Sequence, residues 1–384
     1  MRTLLFERSL PRFAAARLAS TVAAGGGSRV GPLRLTEMEE PALPGAGWHR
    51  VRPRLSGICG SDLATVDGRS SRYFEPIVSF PFVPGHEVVG ELSDGSRVVI
   101  EPVLACAARG VDPPCASCAA GANGNCERIA FGALEPGLQT GYCADTGGGW
   151  SESLVAHDSQ LHAVPEQMTD ESAVLVEPTA CAVHAVQSAE VGGGASVVVL
   201  GAGTLGLCTV AALRRLVLPG TVIASAKHPE QRRLARQLGA DVVVAPDEVR
   251  RAVRRHTASL ATGRQLTGGA DVVFDCVGSQ ASLEDALSVV RPRGNVVLVG
   301  MPGPVTVDLA PLWQREVRLV GSYAYRHQTF PTAFDLVEAA DLGRLLSALY
   351  PLDRYREAID HAAHAGRRGA VKIAFDLRDP RRMR

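Results

Sequence analysis

The sequence predicts an α/β protein in which a β-rich part is followed by a doubly wound parallel sheet. Residues 1–180 contain short apolar runs punctuated by glycine and proline, such as Phe82-Val-Pro84 and Glu87-Val-Val-Gly90. This pattern is typical of short strands joined by turns. From residue 181 onward, apolar strands alternate with helical stretches. Such alternation indicates a parallel sheet covered by helices.

The alternation starts with the apolar run Ser196–Leu200. The strands and helices predicted after it are residues 205–216, 221–224, 229–238, 241–244, 271–275, 295–299 and 318–321. Residues 370–375 predict a closing strand. Because a single core stops growing at roughly 250 residues, we expect two domains in this chain of 384 residues. One comprises residues 1–180 and is completed by 324–384, and the other comprises 181–323.

The first residues allow two interpretations. Residues 2–7 predict the first strand, followed by a second strand and a flexible loop at Gly25-Gly-Gly-Ser28. Alternatively, residues 1–24, which are rich in arginine and alanine and poor in acids, form an organelle transit peptide.

Composition excludes several classes of function. The 40 basic and 40 acidic residues cancel, which argues against a nucleic-acid ligand. The sequence contains no run of about 18 apolar residues, which excludes a membrane-spanning helix. Nine cysteines, four of them between Cys106 and Cys126, suggest a metal site in a reducing compartment rather than disulfides. We therefore expect a cytoplasmic protein.

A glycine-rich turn predicts a dinucleotide site. Gly201-Ala-Gly203-Thr204-Leu205-Gly206 follows an apolar strand and opens a helix. Glycines allow a tight turn and close approach of a pyrophosphate, while the helix N-terminus supplies amide donors. The alternative is a glycine-rich turn in some other α/β protein.

The residues after the second strand of this unit bear on which dinucleotide binds. Sites for NAD usually place an acid about 20 residues after the glycine turn, but here that position is Ala226, beside Ser225, Lys227 and His228. Arg232 and Arg233 follow, and Glu230 suits the start of the next helix. Lys227 and Arg232 therefore favour the 2′-phosphate of NADP over NAD.

Cysteine and histidine in the first part suggest a metal site. Cys59 lies in Gly57-Ile-Cys-Gly-Ser-Asp62 and His86 in Pro84-Gly-His-Glu-Val-Val-Gly90. A thiolate and an imidazole suit zinc, and a catalytic site needs a third protein ligand. Together with the glycine turn, and in this order along the chain, these motifs resemble the zinc-containing medium-chain dehydrogenase/reductase family. The resemblance implies a GroES-like catalytic domain, a Rossmann domain, and a substrate in the cleft between them.

Within that family, Val176-Glu-Pro178 resembles the sorbitol and threonine dehydrogenase branch. The resemblance implies Glu177 as the third zinc ligand after Cys59 and His86, with Cys181 as the competing candidate. It also implies that Glu87 supports the metal, or approaches it.

The implied chemistry is hydride transfer between a secondary alcohol or polyol and NAD(P). Zinc would lower the pKa of the alcohol, and Ser61 is placed like the family hydroxyl that accepts the substrate proton. Many polyol-active relatives have a histidine three residues later, where this chain has Ala64. Water or the cofactor ribose would then continue the relay.

The cysteine cluster resembles the family's structural zinc lobe. Its members are Cys106, Cys115, Cys118 and Cys126. The first spacing departs from the family because eight residues, rather than two, separate the first two cysteines. We expect this insert to loop outward while Cys106 still completes a tetrahedral Cys₄ site. Otherwise Asp112 or water joins the remaining thiols, or the site is empty.

Other features leave the substrate open. Residues 127–150 predict a loop that covers the cleft, and the candidates for contacting the substrate are Arg72, Tyr73, Phe74, Tyr323, Tyr325 and Arg326. Alternative functions are a redox-neutral zinc and NAD(P) enzyme, such as an epimerase or lyase, and a non-catalytic nucleotide-binding scaffold. The retained Cys59, His86 and Glu177 argue against the scaffold, and stoichiometric formation of reduced cofactor would exclude the redox-neutral enzyme. We expect a homodimer or homotetramer and a small alcohol, polyol or carbonyl substrate.

Overall fold

The computed structural model describes residues 1–300 and 303–378 and has the α/β architecture that the sequence predicts. It contains two compact units, one formed by Met1–Glu177 with Arg326–Arg384 and the other by Pro178–Tyr325. We call them the catalytic unit and the nucleotide unit. The predicted boundaries, after residues 180 and 323, lie within a few residues of this division. In the part of the chain described, no helix is long and apolar enough to cross a bilayer.

The catalytic unit begins with short strands and short helices. Its strands before the nucleotide unit are β1 (Arg2–Phe6), β2 (Leu33–Glu37), β3 (Trp48–Gly57), β4 (Val88–Glu91), β5 (Arg97–Ile100), β6 (Leu154–His157) and β7 (Leu161–Ala163). The helices are α1 (Leu10–Val22), α2 (Gly27–Val30), α3 (Gly60–Val66), α4 (Ala116–Ala119) and α5 (Asp170–Ala173). Helix α6 (Val176–Ser188) begins at the end of this unit and continues into the nucleotide unit.

The nucleotide unit alternates strands and helices. Its strands are β8 (Ser196–Leu200), β9 (Thr221–Ser225), β10 (Val242–Val244), β11 (Ala261–Thr262), β12 (Gln265–Leu266), β13 (Ala270–Asp275), β14 (Val290–Leu298) and β15 (Arg318–Gly321). The helices are α7 (Thr204–Leu216), α8 (Pro229–Gln237), α9 (Val249–His256), α10 (Gln280–Val289) and α11 (Ala310–Gln314). Six strands form a parallel sheet in the order β10-β9-β8-β13-β14-β15. The order reverses between β8 and β13, where doubly wound sheets bind their ligands.

The chain then returns to the catalytic unit with α12 (Thr329–Ala339), β16 (Leu346–Tyr350), α13 (Tyr355–Ala363) and β17 (Lys372–Asp376). The main sheet of this unit has the order β16-β17-β3-β4-β5-β7, with β6 also paired to β3. Strand β17 runs antiparallel to β3, with Ala374 opposite Gly57. Strand β17, which follows the nucleotide unit in sequence, is therefore an internal strand of this sheet. Aromatic side chains, including Phe6, Phe82, Trp150 and Phe375, fill the core beside it.

The N-terminal segment differs from the prediction. Strand β1 is present, but α1 separates it from β2, because alanine, arginine and leucine are good helix formers. The predicted flexible loop at Gly25 is instead held in place. The amides of Gly25 and Gly27 donate to the buried Asp67 carboxylate at 2.9 and 3.1 Å. A side chain at position 27 would collide with the Val66 carbonyl.

We predict that Asp67→Ala lowers the thermal unfolding midpoint by roughly 5 °C, since a loss of about 2 kcal/mol is expected when two buried amides lose a charged acceptor. Differential scanning calorimetry measures this shift. The control is Asp335→Ala, which removes an exposed carboxylate from α12 and should leave the midpoint nearly unchanged. Equal midpoints for both variants would show that Asp67 does not fix the glycine segment.

Candidate metal centres and dinucleotide site

Cys59, His86 and Glu87 converge in the catalytic unit. Cys59 caps the start of α3, while His86 and Glu87 lie immediately before β4. Their sulfur, nitrogen and oxygen ligand atoms all lie within 4.8 Å of one another. His86 and Glu87 are buried and Cys59 is partly buried. Residues 27 positions apart in sequence thus form one group with the donor chemistry of a zinc site.

The imidazole of His86 is oriented by Asp62. Its Nδ1 lies 3.3 Å from Oδ1 of the buried Asp62, whose Oδ2 accepts a 2.9 Å hydrogen bond from the Cys59 amide. Its Nε2 lies 3.5 Å from the Ser61 hydroxyl. An imidazole held through one nitrogen by a carboxylate can offer the other nitrogen to a metal. Asp62 therefore contacts both the Cys59 backbone and the His86 ring, a role that sequence reasoning did not assign to it.

Behind this group lies a buried ion pair. The Lys372 ammonium donates to Oε2 of Glu87 in a close contact, and to the Ile58 carbonyl at 3.2 Å. Both charged side chains are only 2% exposed. Burial opposes protonation of Lys372, but the charges of Glu87 and Cys59 raise its pKa. The ion pair restrains Glu87. No local pattern indicates this contact, because Lys372 lies 285 residues from its partner.

Glu177, the predicted third zinc ligand, is the second residue of α6 and is buried. Cys181, its competitor, lies one helical turn later on the same helix and is partly buried. Residues four apart on a helix share a face. Both candidates are thus presented by one face of α6, and the choice of Glu177 stays a prediction.

The four clustered cysteines also converge. The sulfur atoms of Cys106, Cys115, Cys118 and Cys126 lie within 4.8 Å of one another. Backbone amides donate to the sulfurs, including Glu127 to Cys115 at 3.4 Å. Although burial acts in the opposite direction, hydrogen bonds from the backbone of Cys118 and Glu127 lower the pKa of the Cys115 thiol to about 7. The group offers the donors of a closed Cys₄ site.

The insert between Cys106 and Cys115 does not loop outward throughout, as the sequence led us to expect. Residues 112–114, including Asp112, are exposed, but Ala108 and Arg109 are buried. The Arg109 guanidinium is fully buried and donates to one carbonyl before the insert and to four carbonyls of the loop at residues 127–150. Its acceptors are Leu104, Phe131, Leu134, Glu135 and Gly137. The predicted cover loop is thus folded around Arg109, because a buried guanidinium needs partners for its donors.

The glycine turn has the geometry of a dinucleotide site. It follows β8 directly, and Gly203 caps the start of α7, which comprises Thr204, Leu205 and Gly206 in its first turn. Gly201 has a φ of +88°, and a side chain at Gly206 would collide with the Gly201 carbonyl. The turn lies where the strand order reverses, at the start of a helix, and this is the position where such sheets bind a pyrophosphate.

At the end of β9, the two predicted cofactor-binding cations differ. Arg232 donates to the carbonyls of Ala226 and Lys227 at 2.8 and 3.2 Å. Arg233 pairs with Glu230. Lys227 itself is exposed. Arg232 therefore shapes the loop, while the Lys227 ammonium is open to solvent.

The candidate substrate residues occupy different environments. Arg72, Tyr73 and Phe74 belong to the short 3₁₀ helix Arg72–Ile77, and Tyr73 is 77% exposed. Tyr325 is 2% exposed and Tyr323 is 40% exposed. The Arg326 guanidinium donates to the Ala120 carbonyl at 3.4 Å, beside the cysteine cluster. Arg326 is thus engaged with the cysteine lobe, and none of these residues is assigned to substrate by its surroundings.

We predict that Lys372→Met destabilises the protein by about 3–5 kcal/mol, because it leaves the Glu87 carboxylate buried and unpaired. The double variant Lys372→Met/Glu87→Gln should recover much of this loss, since it removes both charges. Urea denaturation of wild type, both single variants and the double variant gives the coupling energy. Additive single effects would contradict the ion pair's role.

Comparison with known proteins agrees with this architecture. Residues 45–166 match the family model described as the alcohol dehydrogenase GroES-like domain. Residues 204–339 match the model described as zinc-binding dehydrogenase.

Relatives align along most of their length. Sorbitol dehydrogenase of Arabidopsis thaliana is 30% identical over 87% of this chain and 90% of its own. L-idonate 5-dehydrogenase of Vitis vinifera is 27% identical over 90% and 93%. The crystal structure of 2R,3R-butanediol dehydrogenase from Bacillus subtilis superposes with a TM-score of 0.68, at 26% identity, over 90% of this chain and 96% of that one. The chain therefore belongs to the zinc-containing medium-chain dehydrogenase/reductase family and is an NAD(P)-dependent alcohol or polyol oxidoreductase.

Proposed function

We propose that Cys59, His86 and Glu177 hold the catalytic zinc of a secondary-alcohol or polyol dehydrogenase. The observation that carries this proposal is the convergence of the Cys59 sulfur and the His86 imidazole, both positioned by Asp62. A thiolate, an imidazole and a carboxylate suit zinc with one position left for substrate. Zinc, when bound, would act as a Lewis acid that favours loss of the alcohol proton.

The side chains around this group would perform the remaining tasks. Ser61 would accept the substrate proton, since its hydroxyl lies 3.5 Å from His86 Nε2 and so borders the metal position. Asp62 would hold the neutral His86 tautomer that binds a metal. Tyr142 and Thr65 support Asp62, with the tyrosine hydroxyl 3.5 Å from Asp62 Oδ1 and 3.2 Å from the Thr65 hydroxyl. With Ala64 at the next relay position, the proton would leave through water or the cofactor.

For the substrate, we propose a compound with neighbouring hydroxyl groups. The relatives named above are a sorbitol, an L-idonate and a butanediol dehydrogenase, and their substrates share a CH–OH carbon with a hydroxyl-bearing neighbour. The second zinc of the proposal is structural and is held by the four-cysteine group. Its closed ligand set leaves no position for substrate, so its loss would affect folding before chemistry.

For the cofactor, we propose NADP over NAD, bound by Gly201, Gly203, Thr204, Leu205 and Gly206 at the pyrophosphate. The exposed Lys227 would contact the 2′-phosphate, and Arg232 would hold the loop through its carbonyl contacts. An ammonium beside the ribose favours an added phosphate. The carboxylate of Glu230 does not compete for this position, because it pairs with Arg233.

We also propose a homodimer or homotetramer located in the cytoplasm. The parallel sheet ends at β15, and apolar side chains near this edge are exposed, among them Leu309, Trp313 and Leu319. An uncovered strand edge with exposed apolar neighbours suits pairing with a second copy. A reducing compartment suits the four clustered cysteines, whose thiols converge as the donors of a metal site.

The choice of third ligand can be tested by zinc content. We predict that Cys59→Ala and Glu177→Gln each remove one zinc ion per chain and reduce turnover by at least 100-fold, because an incomplete ligand set binds metal weakly. Cys181→Ser is the control and should retain both zinc ions and activity. Dinucleotide binding, followed by fluorescence, should persist in Cys59→Ala. Loss of zinc in Cys181→Ser but not in Glu177→Gln would assign the ligand to Cys181.

Cofactor preference can be tested at Lys227. We predict that Lys227→Asp lowers the ratio of kcat/KM for NADP to that for NAD by about tenfold or more, because an attractive charge becomes repulsive, which is worth about 1.4 kcal/mol or more. Steady-state kinetics with both dinucleotides gives the ratio. Arg255→Asp reverses an exposed charge on α9 and serves as the control. An unchanged ratio in Lys227→Asp would place the preference elsewhere.

A further inference from the structure

A third group of metal-binding side chains lies in the catalytic unit, and none of the motifs above contains it. Its members are Glu101, His162 and His327. Glu101 directly follows β5, and His162 lies in the neighbouring strand β7, opposite Val99. His327 precedes α12 on the segment that returns from the nucleotide unit. The group therefore joins two sheet strands to the returning segment.

The two histidines converge on one carboxylate oxygen. His162 Nε2 lies 3.0 Å, and His327 Nδ1 2.6 Å, from Oε2 of Glu101. All three ligand atoms lie within 4.8 Å of one another. Zinc at roughly 2.1 Å from each ligand needs ligand atoms roughly 3.4 Å apart in tetrahedral geometry. Shifts of less than about 1 Å in side-chain position would open the group to an ion.

The surroundings preorganise the group. The Glu101 amide donates to the Gln160 carbonyl at 2.7 Å, and the Glu101 carbonyl accepts from the Gln160 side chain at 3.0 Å. The His162 ring stacks on Phe330 at 4.0 Å between centroids, with an interplanar angle of 5°. Two of the three ligands are thus held by backbone and ring packing, which limits the entropy lost on binding.

Charge and access also suit a cation. The Glu101 side chain is 2% exposed, whereas His327 is 50% exposed and opens one side to solvent. A buried carboxylate with two imidazoles favours a positive occupant, which is either a proton or a metal ion.

We propose that Glu101, His162 and His327 form a third metal site, which binds a divalent transition-metal ion, zinc in particular. Two imidazoles and one carboxylate are a ligand set that zinc accepts, with water completing the coordination. The ion would tie the returning segment to strands β5 and β7. This site requires neither the catalytic ligands nor the four cysteines, and the proposal is independent of the proposed substrate.

The test is a titration of the purified holoenzyme, with its tightly held zinc in place. Isothermal calorimetry with Zn²⁺ should show one additional ion bound per chain in the wild type and in His256→Ala, which removes an exposed histidine from α9. His327→Ala should lose this binding. A parallel titration with Co²⁺ should give a spectrum without thiolate charge transfer, because the ligands are nitrogen and oxygen.

Stability provides a second measurement. Added Zn²⁺ should raise the unfolding midpoint of the wild type and not that of His327→Ala, since a ligand stabilises only the state that binds it. His162→Gln serves as a second ligand variant and should behave like His327→Ala. No additional ion in the wild type, or equal binding in His327→Ala, would overturn the proposal and leave a histidine–carboxylate group held by a proton. Either result leaves the count of tightly bound zinc, and thus the proposed function, unaffected.

Discussion

The catalytic unit depends on the neutralisation of one buried carboxylate. Glu87 follows His86 directly, so its carboxylate is carried into the interior wherever the histidine is placed. A buried and unpaired carboxylate is costly, and Lys372 of β17 supplies the compensating charge. Because β17 pairs with β3, with Ala374 opposite Gly57, the residue that neutralises Glu87 comes from the segment that returns from the nucleotide unit.

In the cysteine lobe, the positive charge comes from a residue that is close in sequence. Four thiolates around the proposed zinc ion would leave two negative charges, and Arg109 lies fully buried within the insert between the first two cysteines. Burial lowers the pKa of Arg109, while the charges of Cys143, Cys126, Asp145 and Cys106 act to raise it. The same guanidinium accounts for the fold of residues 127–150 through their carbonyl groups. One residue thus links the charge of the lobe to the shape of the adjoining loop.

Sequence reasoning succeeded where the determinants are local. The parallel strands and glycine turn follow from apolar runs and from φ requirements within a few residues, and the fold class is confirmed. The segment around Gly25 was misjudged because its rigidity comes from Asp67, 42 residues away. Arg109 was missed for a related reason, since a lone arginine in an insert usually lies at the surface. The group at Glu101 could not be predicted, because 226 residues separate Glu101 from His327.

The two lysines illustrate why the identity of a cation matters in an arginine-rich chain. The Lys372 side chain lies between Glu87 and the Ile58 carbonyl and packs against Gly57. A side chain at position 57 would not fit there, because its Cβ would lie 2.8 Å from the lysine Cε. A planar guanidinium needs more width than an ammonium, which presents three donors from a single nitrogen. At Lys227 the constraint is different, because Arg232 already occupies the loop carbonyls. There the flexible stem leaves the ammonium exposed and able to follow a ligand phosphate.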